Sequence, residues 1–387
     1  MKYKAKLYEL DYLRSWAFLA VLFQHVWGSV ARYYMDSQTQ LFIGISFTLG
    51  KFAVPLFVFL SGMVFFYNYY DKLNYLSFLK KRGVEIFIPY LFWTAFYLLE
   101  HKPKTQILDP EWWIVYLRSL VWGSGKYHLW YIVMLAQLIL VTPLIFKAYA
   151  WCENKIKKSR YLGGGKGLLI LMGGLSIAYL LFVTKYYEWF CHTPWEWLNI
   201  RLMKSFSLNA LSYLIYFLWG GVVARNYESF KAFIVKSFYW LGLATVLLYA
   251  YITQRALQEG YQEGKIQLNV FGSLNVRFYL WTMVSIFFLY RIALYLTEQY
   301  KKSKQVRNLP PLIALMSNYS YWIYLVHPFG LSTASIVLRD FSIPSGIVYS
   351  LLLLTLGFLV SVPLGFISST IYRKLINLNL RKSSKFI

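Results

Sequence analysis

Ten apolar runs, each about the length needed to cross a hydrocarbon core, recur along the chain with short basic segments between them. They fall at about 11–34, 45–67, 84–100, 128–149, 167–187, 207–224, 237–253, 273–297, 312–335 and 346–372. A backbone in lipid must satisfy its own polar groups, so runs of this length are expected to be helices. The expected fold class is therefore an all-α integral membrane protein, a bundle of about ten transmembrane helices in one domain, 1–387. With 58% hydrophobic and only 14% charged residues, the apolar excess is more than one water-soluble core would hide.

The net charge of +24 would suit nucleic acid if it gathered on one face or tail. It is instead dispersed in clusters between the apolar runs, which argues against a nucleic-acid partner and for a membrane topology. One alternating set of segments holds Lys2, Lys4 and Lys6; Lys72, Lys80, Lys81 and Arg82; Lys155, Lys157, Lys158, Arg160 and Lys166; Arg225, Lys231 and Lys236; Lys301, Lys302, Lys304 and Arg307; and Arg373, Lys374, Arg381, Lys382 and Lys385. The opposite set, over generally longer loops, is much poorer: Lys102, Lys104, Arg118, Lys126, Arg201, Lys204, Arg255, Lys265 and Arg339. The rich set is expected to be cytoplasmic, with both termini on that side. No cleavable signal peptide is expected, because the first apolar run is too long for one. Cys152 and Cys191 fall on opposite expected sides and cannot pair. The outer segments carry Trp112, Trp113, Trp195 and Trp197, which suit sugar stacking or an interfacial belt.

Titratable residues inside a span are costly and mark functional candidates. Arg14 and His25 both lie in the first run. Eleven residues turn a helix by roughly 1,100°, three turns and about 20°, so the two share a face roughly 16 Å apart. Arg14 is a permanent cation whose planar fork suits phosphate or carbonyl groups. His25 suits general-base catalysis on a hydroxyl. A snorkelling arginine and an interhelical histidine are the plainer alternative.

These residues also resemble a known family. Leu10-Asp11-Tyr12-Leu13-Arg14 followed by His25 is similar to the Arg-x10-His opening of the membrane-bound acyltransferase-3 family. Lys51-Phe52-Ala53-Val54-Pro55-Leu56-Phe57-Val58-Phe59-Leu60-Ser61-Gly62 resembles its second-helix motif, and Phe78-Leu79-Lys80-Lys81-Arg82 through Ile88-Pro89-Tyr90 its basic loop. Tyr127-His128-Leu129-Trp130-Tyr131 with Thr142-Pro143, and Ser320-Tyr321-Trp322-Ile323-Tyr324-Leu325-Val326-His327-Pro328, resemble later segments. Five motifs in order, over about 8 to 370, make the resemblance specific. Two departures stand out: Glu85 occupies the place where relatives often carry a second arginine, and an extracellular hydrolase-like domain of the kind fused to some relatives is not expected.

The resemblance implies a multi-pass, bacterial cell-membrane enzyme that moves an acyl group from cytoplasmic acyl-CoA to a hydroxyl of a cell-surface or lipid-linked glycan. Acetyl-CoA is the expected co-substrate, with succinyl-CoA the alternative; no metal is expected. Polysaccharide synthesis or export proteins are the implied partners. Expected catalytic residues are His25, Arg14 and His128, and expected donor-binding residues Arg14, Lys81 and Arg82. A topology-setting basic loop would look the same as a phosphate grip at Lys81 and Arg82, and an interfacial histidine the same as a working His128. His327, next to Pro328, reads as the mark of a kink, and Ser61-Gly62 as a site of close helix approach. The rival is a non-enzymatic exporter of a surface polysaccharide or its lipid-linked precursor, with spans broken at Pro55 and Pro328. No P-loop is present, and no histidine has the His-x4-Asp arrangement of glycerolipid acyltransferases.

Overall fold

Each of the ten apolar runs is mostly helical where the computed structural model describes it, which it does for residues 5–100, 109–158, 166–191, 209–268, 276–304 and 309–376. The expectations placed on Lys2, Lys4, Lys102, Lys104, Arg160, Arg201, Lys204, Arg307, Arg381, Lys382, Lys385, Trp195 and Trp197 lie outside the described residues, as do the side chains of Lys166 and Cys191. Six helical spans are long and apolar enough to cross a membrane, or seven if one bent pair counts as a span, among the described residues. They include Ser37–Tyr69, Trp130–Lys158 and Gly346–Leu375; the bent pair is Tyr227–Lys236 with Phe238–Gly260, which meet at 73°. Gly346–Leu375 has a mean hydropathy of 2.3, yet only 28% of its apolar window is buried. An apolar face left outside the protein core on this scale requires lipid, and the chain is a membrane protein.

Three expected spans fall outside those six or seven. Lys166–Cys191 and Leu214–Arg225 contribute only shorter apolar stretches among the described residues. Glu9–Tyr33 has the length, about 37 Å at the α-helical rise, but its sequence holds Asp11, Arg14, Gln24 and His25. It tolerates them because Leu13, Ala17, Phe18, Leu22, Val26 and Trp27 are packed away inside neighbouring helices.

The chain forms two compact units, Met1–Leu60 with Asn226–Ile387, and Ser61–Arg225. In the first, Glu9–Tyr33 is the central helix, flanked by Ser37–Phe47, Val276–Lys304, Pro311–Asn318, Ser320–Arg339 and Gly346–Leu375. Trp27 donates from Nε1 to Ser46 and anchors Glu9–Tyr33 to Ser37–Phe47. The fully buried Gln40 donates to the Ala31 and Tyr34 carbonyls and accepts from the Ile266 amide at 2.9 Å. That amide belongs to a small antiparallel hairpin, Tyr261–Gln262 with Lys265–Ile266, turned by Gly264 at φ 79°. Ser320–Arg339 and Gly346–Leu375 pack closely enough that a Cβ on Gly365 would stand 2.8 Å from the Ile323 backbone.

In the second unit Phe66 packs edge-on against Phe146 at 4.8 Å, and Phe65 against Phe217 at 5.6 Å. Gly62 abuts the backbone carbonyl of Phe217, so the Ser61-Gly62 step is a site of close helix approach. Pro110–Trp122, in a stretch read from sequence as an outer loop, is a helix capped by Asp109 and ended by Gly123 in the left-handed conformation. Its Trp112 stacks on Tyr116, while Trp113 is exposed.

The breaks lie elsewhere than at the two prolines. Pro55 sits in the first turn of Ala53–Tyr69, where its missing amide costs nothing, and the break precedes it at Thr48–Phe52. Pro328 lies inside the continuous helix Ser320–Arg339, whose break from Pro311–Asn318 is at Tyr319.

Candidate functional site

Two levels of the first unit carry its chemistry, both on Glu9–Tyr33. At the lower level Asp11 is buried and takes three partners: Arg14 Nη1 at 3.2 Å, Lys6 Nζ at 3.0 Å and Ser317 Oγ at 2.6 Å. Ser15 donates to the Asp11 and Ile313 carbonyls. Pro311–Asn318 is thereby tied to the start of the central helix. One carboxylate between two cations leaves the cluster with a net positive charge, and a bound anion would be favoured there. Glu9, also buried, accepts from Tyr227 at 2.6 Å and Tyr290 at 3.0 Å.

Three turns further along lies His25. Its ring is stacked on that of His327, with centroids 5.1 Å apart and planes 24° from parallel. The neighbouring Gln24 donates to the Gly50 carbonyl at the break in Ser37–Tyr69. Lys51 follows Gly50 and lies within electrostatic range of His25, its ammonium 4.5 Å from the centre of the Phe47 ring. His25, Gln24 and Lys51 are half-buried, whereas His327 is fully enclosed. One turn beyond His25, a Cβ on Gly28 would meet nothing within 4 Å.

His327 was read from sequence only as a proline-associated kink. Pro328 has no amide to give to the Tyr324 carbonyl, four residues back. His327 Nδ1 stands 2.6 Å from that oxygen and replaces the missing donor. Lys51 was visible only as the first residue of a motif. Neither had a signal of its own, because both acquire their surroundings from helices distant in sequence.

The other expected residues belong to the second unit. Arg82 is buried, donating to Glu85 Oε2 at 3.0 Å and to the Tyr69 hydroxyl at 3.1 Å, with its guanidinium over the rings of Phe65, Tyr69 and Phe78. Lys81 is half-buried and lies 3.8 Å from the same carboxylate. The arrangement repeats that at Asp11, two cations around one carboxylate. A π-helical turn, Gly83–Phe87, follows at once and places Glu85 under the pair. His128 precedes the helix Trp130–Lys158 and is enclosed, edge-on to Tyr97 at 5.6 Å and beside Tyr127. Lys126 pairs with Glu100 at 3.0 Å above it in sequence order.

A stacked histidine pair with an ammonium in electrostatic range suits transfer chemistry on a hydroxyl. The family model described as an acyltransferase domain, that of acyltransferase-3, matches residues 7–368. The chain belongs to the acyltransferase-3 family and is a membrane acyltransferase. No curated protein and no solved structure matches it.

Proposed function

We propose that the protein spans the cell membrane of a bacterium ten times with both ends inside, and transfers an acyl group from cytoplasmic acyl-CoA to a hydroxyl of a surface or lipid-linked glycan. Acetyl-CoA is the donor favoured by the family resemblance, and succinyl-CoA the alternative. The observation that carries this reading is the half-buried His25, set against His327 and Lys51 with open space beyond it at Gly28.

The donor's phosphates meet the basic lower level, where Arg14 and Lys6 share Asp11. In the second unit Arg82 holds the π-turn through Glu85, with Lys81, the more accessible cation, beside the same carboxylate. The acceptor hydroxyl approaches His25 along Gly28. His25 takes the hydroxyl proton, the oxygen attacks the thioester carbon, the C–O bond forms and the C–S bond breaks. The proton then passes to the departing thiolate sulfur. Lys51 stabilises the negative charge on the carbonyl oxygen in the transition state. His128, enclosed by aromatic rings, supports the fold around its helix rather than touching the acceptor. Exclusion of bulk water by the surrounding helices protects the thioester from hydrolysis. Glycan synthesis or export proteins would deliver the acceptor.

Sealed membrane vesicles of both orientations, given labelled acetyl-CoA from outside, test this. Inside-out vesicles are expected to label glycan and right-side-out vesicles to fail until permeabilised. Equal labelling by intact vesicles of both orientations would contradict an inner donor site.

A further inference from the structure

The hydrogen bond that His327 makes to its own helix fixes which of its nitrogens carries a proton. A carbonyl oxygen only accepts, so at 2.6 Å from the Tyr324 oxygen Nδ1 must be the N–H. In the neutral ring Nε2 then holds the lone pair. The ring so fixed is stacked on His25 and is itself fully buried. A hydrogen bond to a fixed backbone acceptor holds an imidazole in one tautomer and one orientation.

We propose that His327 is the positioning residue for His25 in the transfer reaction: its ring, held by the Tyr324 carbonyl, is the plane against which the His25 ring is stacked and oriented. This rests on the acyl-transfer reading of the His25 site. As the acceptor oxygen bonds to the thioester carbon and the C–S bond opens, the proton leaves the oxygen for His25. It stays on the oriented His25 ring and ends on the thiolate sulfur. No oxidant or further reactant is needed. His327 touches no substrate, which agrees with its enclosure.

The alternative role for His327 is solely to satisfy the carbonyl that Pro328 leaves without an amide donor, and the two roles can be separated. Pro328→Ala restores a backbone N–H able to bond the Tyr324 oxygen. In that background His327→Ala removes the plane against which His25 stacks, while the Tyr324 carbonyl stays satisfied by the restored amide. Purified wild type, Pro328→Ala and the double variant are compared for thermal unfolding and for transfer from labelled acetyl-CoA to glycan. The expected result is a kcat lower by about 10²-fold in the double variant, with the KM for acetyl-CoA changed little and Pro328→Ala close to wild type. A double variant as active as Pro328→Ala overturns the inference while leaving the acyl-transfer reading standing. Label that does not depend on the wild-type protein overturns the acyl-transfer reading itself. Nitrogen-15 spectra of histidine-labelled protein, assigned with the same variants, decide the tautomer without reference to activity: His327 protonated on Nδ1 is expected, and protonation on Nε2 alone overturns the inference.

Discussion

His327 lies against His25 with ring centroids 5.1 Å apart, bringing a residue of the chain's last third onto its first helix. The same pairing of ends runs through the whole unit, since Met1–Leu60 forms one compact body with Asn226–Ile387. Two family motifs far apart in the chain, the Arg-x10-His opening and the late Ser-Tyr segment, thus meet around one imidazole. Acyl transfer needs a base, a stabiliser for the oxyanion and a path for each substrate, and this level of the bundle places candidates for each.

Lys51 supplies the charge in this account. Lys51→Met is expected to lower kcat by about 10²-fold, the scale on which removal of an oxyanion stabiliser acts. Lys51→Arg, which keeps the charge with different geometry, should retain part of the rate. Initial rates at matched expression check this, and an unaltered kcat in Lys51→Met would exclude the lysine from the reaction.

Gly28 marks the acceptor's approach. Gly28→Ala is expected to leave transfer near wild type, since a methyl group there meets no atom within 4 Å. Gly28→Phe would fill the space and raise the acceptor KM while leaving donor affinity unchanged. Kinetics varying each substrate in turn distinguish this from general damage, which would lower kcat in both series.

Asp11 binds the lower level together through Arg14, Lys6 and Ser317. Asp11→Asn leaves two cations without their carboxylate, and the expected loss is about 3–5 kcal/mol, the cost of breaking a buried ion pair from one side. Thermal unfolding in detergent reads the loss. Adding Lys6→Gln and Arg14→Gln should recover part of it; a simple sum of the separate effects would show that the charges do not interact.

Gly365 and Ile323 are in backbone contact, and Gly365→Ala is expected to destabilise by about 1–3 kcal/mol through overpacking. Gly173→Ala, with open space around it, serves as the control and should unfold as wild type does. Equal unfolding temperatures for the two would contradict the packing described.

The positions of the helices were legible in the sequence because each apolar run has to be long enough to cross lipid, and run length is a local property. Breaks were not. Pro55 and Pro328 looked like interruptions, but one starts a helix and the other is accommodated by His327, whose imidazole replaces the lost amide bond. The hairpin at Tyr261–Ile266 is held by Gln40 from a distant helix, which no local pattern announces. For the site, the spacing of Arg14 and His25 named one helix face. It could not name Lys51 or His327, whose proximity to His25 comes from packing between helices.

Transfer of an acyl group from acyl-CoA to a glycan should depend on His25 as the base and on Arg14 below it. Membranes containing wild type, Arg14→Ala or His25→Ala at matched expression are given labelled acetyl-CoA or succinyl-CoA, and glycan acylation is read by mass spectrometry. Label from one donor in wild type that disappears in both variants is expected. Label that is the same with or without the protein, accompanied by loss of polysaccharide export when the protein is removed, would contradict it and assign the chain to transport.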